Sequence, residues 1–127
     1  MKILIVDDSE NTLSSMQRLI RSKHKSADIT TSLSGIEAIK HINESSFDIV
    51  FSDLNMGQVN GDSVVKHVRT QQPNALIVML TGHIKDSRIA SVIADNDIDY
   101  LVEKGSPKER ILNILKEVSL LEGRQRF

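Results

Sequence analysis

The chain has 127 residues, enough for one domain with a core on both faces of a central sheet. It has no cysteine, which excludes disulfides, thiolate metal sites and cysteine redox chemistry and fits a reducing compartment. The chain has 16 Lys plus Arg and 17 Asp plus Glu. This balance gives no sign of a basic surface for nucleic acid or anionic lipid, and DNA binding would need another domain.

Short apolar runs, each followed by a stretch with helical periodicity, predict five βα units. The predicted strands are residues 3–6, 27–31, 47–51, 75–80 and 98–102. The runs ILIV, IVF and LIVML in the first, third and fourth are apolar without alternation, which is typical of central strands covered on both faces. The sequence therefore predicts an α/β fold with a doubly wound, five-stranded parallel sheet.

Apolar residues at helical spacing mark the helices between these strands. The stripes are Leu13, Met16, Leu19 and Ile20, then Ile36, Ala38, Ile39 and Ile42, then Val64, Val65 and Val68, then a short stretch at 89–94, and last Ile111, Leu112, Leu115 and Val118. The fifth helix has the clearest start, since Ser106 suits the cap, Pro107 the first helical position and Glu109 the third.

The two ends of the chain carry separate predictions. Residues 1–6 are too few, and too soon followed by Asp7 and Asp8, to form a signal peptide, and no apolar run reaches the length of a membrane span. We therefore expect a cytoplasmic protein that does not bind membranes. Gly123 and the polar residues 124–126 predict a domain at 1–121 and a tail or the start of a linker at 122–127.

Polar residues follow the predicted strands where each strand ends. Asp7 and Asp8 follow the first strand, Asp53 the third, and Thr81 the fourth. Ligands of open parallel sheets bind outside the carboxyl ends of the strands, so we expect these groups to converge. Carboxylates held together repel each other unless a cation compensates, and an oxygen-only ligand set favours Mg²⁺. The alternative, in which Asp7 and Asp8 only cap the next helix, leaves Asp53 unexplained.

Several of these motifs belong together in a known family. They are Val6-Asp7-Asp8, Asp53-Leu54-Asn55-Met56 followed by Gly61, Thr81-Gly82, and the aromatic Tyr100. In order and spacing the sequence resembles, over essentially its whole length, the receiver domain of two-component response regulators, and within it the single-domain regulators of the chemotaxis type. The resemblance implies a flavodoxin-like receiver fold and a signalling switch rather than an enzyme.

The resemblance also implies a mechanism. A histidine on a partner kinase, or a phosphotransfer protein, would pass a phosphoryl group to the carboxylate of Asp53. Asp8, Asp53 and the backbone carbonyl of Asn55 would hold Mg²⁺ directly, with Asp7 acting through water. The Asn55 side chain would be free to influence the water that later removes the phosphoryl group.

The same resemblance implies a conformational output. Thr81 would donate its hydroxyl to the phosphoryl oxygens, and Tyr100 would turn inward. These changes would remodel the surface formed by the fourth helix, fifth strand and fifth helix, where a downstream effector protein would bind. The protein would be a monomer or a weak dimer.

The fifth strand departs from the family pattern. The family has a lysine three residues after the aromatic, followed by proline, whereas here Glu103 stands at that distance from Tyr100 and Lys104 comes next. Either the loop has one extra residue and Lys104 reaches the phosphoryl group, or Glu103 takes the lysine's place. We favour Lys104, with Gly105 adopting the backbone conformation that the proline otherwise supplies.

Two other functional classes fit parts of the pattern. A degenerate receiver would bind partners without phosphorylation, a hypothesis motivated by Glu103 and by Gly57, which stands where the family often has proline after the phosphoacceptor. Aspartate-nucleophile phosphohydrolases also use a strand-end aspartate and Mg²⁺. They usually have a second aspartate two residues later as acid and base, and Asn55 occupies that position here.

Overall fold

The computed structural model describes residues 1–125, with side chains described as far as residue 120. Five strands alternate with five helices. In chain order the elements are β1 (Lys2–Val6), α1 (Glu10–Lys23), β2 (Asp28–Ser32), α2 (Gly35–Glu44), β3 (Ile49–Asp53), α3 (Gly61–Gln71), β4 (Leu76–Thr81), α4 (Ser87–Ala94), β5 (Tyr100–Glu103) and α5 (Lys108–Gln125).

The five strands form one parallel sheet in the order β2-β1-β3-β4-β5. This is the doubly wound order of flavodoxin-like proteins, so the predicted fold class is confirmed. The three uniformly apolar runs lie at its centre, in β1, β3 and β4. The order places the carboxyl ends of β1 and β3 next to each other, with β4 beside β3.

Two apolar layers bury the two faces of the sheet. On one face, β-strand side chains pack with α2, α3 and α4 through residues such as Ile42, Val65 and Val92. On the other face they pack with α1 and α5 through residues such as Ile20 and Leu115. Successive side chains along a strand therefore face α2, α3 and α4 on one side and α1 and α5 on the other, and a register shift of one residue exchanges the two faces.

The observed element ends differ from the predicted ones by one or two residues. The third strand, predicted at 47–51, is observed at Ile49–Asp53, because the ladder with β1 starts at the pairing of Ile3 with Ile49. Asp53 is thus the last residue of the strand. Helix α5 starts at Lys108, directly after Pro107. Such offsets are within the usual uncertainty of helix boundaries.

The predicted tail at 122–127 overlaps the end of α5 at Gln125, and residues 126–127 lie outside the described residues. The division between domain and tail stays a prediction. Within residues 1–125, no helix has both the length and the apolar character needed to cross a bilayer.

Candidate functional site

The predicted acidic cluster is assembled at the carboxyl ends of β1 and β3. Val6 pairs with Ser52 in the ladder, so Asp7, directly after β1, and Asp53, the last residue of β3, lie at the same level. One carboxylate oxygen from each of Asp7, Asp8 and Asp53 lies within 4.8 Å of the others. Asp7 and Asp53 are buried, whereas Asp8 is exposed. The pocket is therefore open to solvent on the side of Asp8.

Capping of α1 does not account for the acidic pair. The cap is Ser9, whose hydroxyl accepts from the backbone N–H of Thr12 at 3.3 Å. Asp7 Oδ1 accepts from the backbone N–H of Ser9 at 2.9 Å, which fixes the turn after β1. Its other oxygen, Oδ2, faces the ammonium of Lys104. One aspartate thus shapes the turn and also contributes a carboxylate oxygen to the pocket.

Lys104 lies on the pocket side of the loop after β5. Its Nζ is 3.0 Å from Asp7 Oδ2 and 3.4 Å from Asp53 Oδ2. The backbone N–H of Lys104 donates to the carbonyl of Thr81 at 2.8 Å, which holds this loop against the end of β4. Glu103 is exposed, and its carboxylate is not among the acidic groups of the pocket. The next residue, Gly105, has φ +93°, a conformation that favours glycine.

Burial and charge together set the protonation of the pocket. Burial, the largest cause, and the nearby charge of Asp7 raise the pKa of Asp53 above its ordinary value, although Lys104 and the N–H of Leu54 act in the opposite direction. For Lys104, partial burial lowers the pKa, but contacts with Asp7 and Asp53 outweigh it and leave the pKa raised. The pocket therefore holds more negative charge than one lysine balances, which suits it to bind a cation.

The loop from β3 to α3 returns tightly onto the end of β3. Gly61 donates its N–H to the carbonyl of Leu54 at 2.7 Å. A Cβ at Gly61 would lie 1.9 Å from the carbonyl oxygen of Asp53. Only glycine fits this approach, which explains the Gly61 of the sequence motif in steric terms. Within the loop, Asn60 Oδ1 accepts from the backbone N–H of Met56 at 2.7 Å.

Thr81 and Tyr100 are not brought together by the structure. Thr81 is fully buried at the end of β4, and its Oγ1 accepts from the backbone N–H of His83 at 3.0 Å. Tyr100 packs on the α1 and α5 face, where its hydroxyl donates to the carboxylate of Glu117. Leu101, the next residue, packs on the α2, α3 and α4 face, which by strand alternation is the face of Thr81.

The sequence reasoning did not identify Arg88, in the first turn of α4. Its Nη2 donates to Asn55 Oδ1 at 2.5 Å and so links α4 to the loop after Asp53. The Asp86-x-Arg88 spacing at a helix start was a local signal for the ion pair between these two residues. The partner Asn55 lies 33 residues earlier in the chain, and no local pattern identifies it.

Comparisons with known proteins agree with this geometry. The model of the protein family "Response regulator receiver domain" matches residues 3–116 of the chain. The chain is 31% identical over 103 residues to the transcriptional regulatory protein PrrA of Mycobacterium leprae, covering 80% of this chain and 43% of PrrA. It is 28% identical to the alginate biosynthesis transcriptional regulatory protein AlgB of Pseudomonas aeruginosa, covering 94% of this chain and 26% of AlgB. The chain thus spans less than half the length of these curated relatives.

Solved structures share the fold. A CheY-like receiver domain protein from Methanospirillum hungatei has a TM-score of 0.85 at 18% identity, with 97% of each chain covered. The chemotaxis protein CheY4 of Vibrio cholerae has a TM-score of 0.79 at 27% identity, covering 92% of this chain and 97% of CheY4. The response regulator TrrA of Thermotoga maritima, solved in complex with Mg²⁺-BeF, has a TM-score of 0.78 at 25% identity, covering 92% of this chain and 97% of TrrA.

Proposed function

The chain belongs to the family of response regulator receiver domains, and we propose that it is a cytoplasmic phosphorylation switch with Asp53 as its phosphoacceptor. Members of this family are signalling modules rather than enzymes. A sensor histidine kinase or a phosphotransfer protein is the proposed donor, and a downstream effector protein is the proposed target. The observation that carries the proposal is the pocket itself, in which three carboxylates lie within 4.8 Å and Lys104 contacts two of them.

The donor set of the pocket fits Mg²⁺. Three carboxylates supply hard oxygen ligands on one side, and the exposure of Asp8 leaves room for the water molecules that Mg²⁺ usually retains. We propose that Asp8, Asp53 and the backbone carbonyl of Asn55 would hold the ion and that Asp7 would act through water. When bound, Mg²⁺ would neutralise charge on the transferring phosphoryl group.

The residues of the chain would position and stabilise that group. A carboxylate oxygen of Asp53 attacks phosphorus, the bond between phosphorus and the donor histidine nitrogen breaks, and its electron pair stays on the imidazole. Lys104 Nζ, already 3.4 Å from Asp53 Oδ2, would pair with the new phosphoryl oxygens. Thr81 Oγ1 accepts from His83, so its own proton is available for a phosphoryl oxygen.

The proposed output is a change in the surface formed by α4, β5 and α5. Thr81 stands at the start of the loop that leads to α4, so its movement toward a phosphoryl group would displace this loop. Leu101 lies on the same face of the sheet and would adjust to the change. The switching role predicted for Tyr100 stays a prediction. Its side chain lies on the other face of the sheet, where its hydroxyl contacts Glu117.

The test is phosphorylation by a small donor. Incubation with acetyl phosphate and Mg²⁺ should add the mass of one labile phosphoryl group, and removal of Mg²⁺ by EDTA should prevent it. Asp53→Asn should abolish the adduct. Asp28→Asn, at an exposed aspartate on the edge strand β2, is the matched control and should leave it intact. An unmodified wild-type mass under these conditions would refute the proposal.

The degenerate-receiver alternative has weaker support. Its main support in the sequence was a carboxylate at the position of the family's lysine. In the structure Glu103 is exposed outside the acidic cluster, whereas Lys104 contacts Asp7 and Asp53. The alternative predicts that a partner binds with the same affinity whether or not Asp53 is phosphorylated. A partner whose affinity changes with beryllofluoride, a mimic of the phosphoryl group, would count against it.

A further inference from the structure

Asn60 and Gly61, in the loop between β3 and α3, form the single Asn-Gly pair of the sequence. Asparagine is chemically labile in proteins, and most so before glycine, because a residue without a side chain lets its backbone nitrogen reach the asparagine amide. Both residues also have a structural role here. Asn60 Oδ1 accepts from the backbone N–H of Met56 at 2.7 Å, and Gly61 leaves no room for a Cβ beside the carbonyl of Asp53. The loop is therefore built on a labile pair.

The reaction open to this pair is deamidation. The backbone nitrogen of Gly61 attacks Cγ of Asn60, the new C–N bond closes a cyclic imide, and the bond from Cγ to Nδ2 breaks. Nδ2 leaves as ammonia with the proton that the Gly61 nitrogen has lost. Water then opens the imide. Addition at Cγ gives aspartate, whereas addition at the former backbone carbonyl carbon gives isoaspartate, in which the main chain runs through the side-chain carbon.

The folded loop holds both reacting groups in other contacts. Gly61 is buried, and its N–H donates to the carbonyl of Leu54 at 2.7 Å, so the proton that the reaction must remove is already engaged. The amide of Asn60 is held through Oδ1 by the N–H of Met56. Attack on Cγ therefore needs the loop to open first, with the loss of these two hydrogen bonds.

The two products differ in their effect on the loop. An aspartate carboxylate keeps an acceptor for the N–H of Met56, and its negative charge suits the start of α3. Isoaspartate adds one atom to the main chain directly before Gly61, which is fitted against the carbonyl of Asp53. It also takes out of the main chain the carbonyl of Asn60, which accepts from the N–H of Ser63 at 3.1 Å in the first turn of α3. Isoaspartate therefore breaks the contacts that hold this loop.

We propose that Asn60-Gly61 is a deamidation site that the hydrogen bonds of the loop keep unreactive, and that its conversion to isoaspartate disrupts the loop beside Asp53. The co-reactant is water. Because the reaction proceeds from the open loop, its rate reports how often this segment opens. The inference stands apart from the proposed function, since it does not need Asp53 to carry a phosphoryl group.

The first test compares the folded and the unfolded chain. Wild-type protein is incubated at mildly basic pH, in buffer and in urea above its unfolding midpoint, and conversion of Asn60 is followed by peptide mass mapping. Two hydrogen bonds lost on opening correspond to a conversion roughly 30-fold slower in buffer than in urea. Asn74, which is exposed and followed by Ala75, is the internal reference and should react more slowly than Asn60 in urea.

A pair of glycine variants separates local opening from global unfolding. Gly57, in the same loop, has φ +90°, and Gly105, after β5, has φ +93°. A Cβ at either position would meet nothing within 4 Å, so alanine is strained there by its backbone alone. Gly57→Ala should speed conversion of Asn60 in buffer about tenfold and leave the rate in urea unchanged. Gly105→Ala, the matched control, should convert at the wild-type rate.

The effect of the product is measured on separated forms. Both products add one negative charge, so ion exchange separates them from the starting protein, and isoaspartate-specific methylation identifies the isoaspartate form. That form should unfold at a lower urea concentration than wild type. Recombinant Asn60→Asp, which has an unaltered main chain, should have a urea midpoint close to that of wild type.

Equal rates in buffer and in urea would overturn the inference, and so would a reaction of Asn74 as fast as that of Asn60 in urea. Equal acceleration by Gly57→Ala and Gly105→Ala would place the reaction in the globally unfolded chain and would also overturn it, as would an isoaspartate form as stable as wild type. If Gly57→Ala does not fold, the wild-type comparison and the stability of the isoaspartate form decide. A wild-type protein that takes up no phosphoryl group would refute the proposed function and leave this inference standing.

Discussion

Replacing Gly61 with alanine tests how closely the loop after β3 is fitted to the end of that strand, where Asp53 lies. The new Cβ would lie 1.9 Å from the carbonyl oxygen of Asp53 and 2.9 Å from the Cα of Leu54. Both neighbours are backbone, so neither can rotate away as a flexible side chain would. The contact with the Asp53 carbonyl must lengthen to about 3.0 Å, a displacement of roughly 1.1 Å in the loop or the strand.

The displacement has two expected costs. Overpacking of this kind destabilises by about 1–3 kcal/mol, and the hydrogen bond from Gly61 to Leu54 contributes roughly another 1 kcal/mol if it breaks. We therefore expect Gly61→Ala to lower the free energy of unfolding by about 2–4 kcal/mol. A misplacement of about 1 Å at Asp53 should also slow phosphorylation by acetyl phosphate by about 100-fold.

The matched control is Gly82→Ala. A Cβ at Gly82 meets nothing within 4 Å, and its φ is not in the positive region. Alanine there should leave stability unchanged or raise it by up to about 1 kcal/mol. Urea unfolding of the two variants, with acetyl phosphate labelling of Gly61→Ala, completes the test. A Gly61→Ala protein with the urea midpoint and labelling rate of wild type would show that the loop is not constrained as argued.

Three further predictions concern the pocket and β5. The raised pKa of Asp53 means that its ionisation opposes folding, so Asp53→Asn should raise the free energy of unfolding at pH 7 without Mg²⁺. Urea titrations should show this gain vanishing below pH 3.8, the ordinary pKa of the carboxyl, where Asp53 is protonated in both the folded and the unfolded protein. The absence of a gain at pH 7 would contradict the prediction. Lys104→Met removes the cation near Asp7 and should lower the urea midpoint at pH 7 by a modest amount, because solvent screens the ion pair. Added Mg²⁺ should partly restore the midpoint of the variant. An equal effect of Mg²⁺ on the variant and on wild type would argue against this prediction. Tyr100→Phe loses only the contact with Glu117 and should change the free energy of unfolding by less than about 1 kcal/mol. The variant should retain the changes in amide NMR shift that beryllofluoride causes in α4. Loss of those changes would support a switching role for Tyr100.

Local patterns were sufficient for the architecture. Period and length distinguish buried strands from amphipathic helices, so five βα units could be predicted without tertiary information. The uniform apolarity of β1, β3 and β4 identified the central strands because nearly all of their side chains, on both faces, are buried. The acidic site followed from a general rule, since parallel strands bring their carboxyl ends to one edge and Asp7, Asp8 and Asp53 all follow such ends.

Strand limits and the partners of single side chains could not be obtained in this way. The third strand ends at Asp53 rather than two residues earlier because its ladder with β1 sets the limits. The contact between Arg88 and Asn55 joins residues 33 positions apart, on a helix and a loop that only the folded chain brings together. Neither residue shows a pattern that specifies the other.

The choice between Glu103 and Lys104 shows the division most clearly. The sequence by itself placed Glu103 and Lys104 directly after the predicted fifth strand, and the family resemblance implied that one of them faces the pocket. Tertiary structure decided which, because the ladder pairs Thr81 with Glu103 and side chains alternate along the strand. That register leaves Glu103 exposed and places Lys104 at Asp7 and Asp53. A one-residue slip would exchange them, and register depends on pairing across strands, which no local pattern encodes.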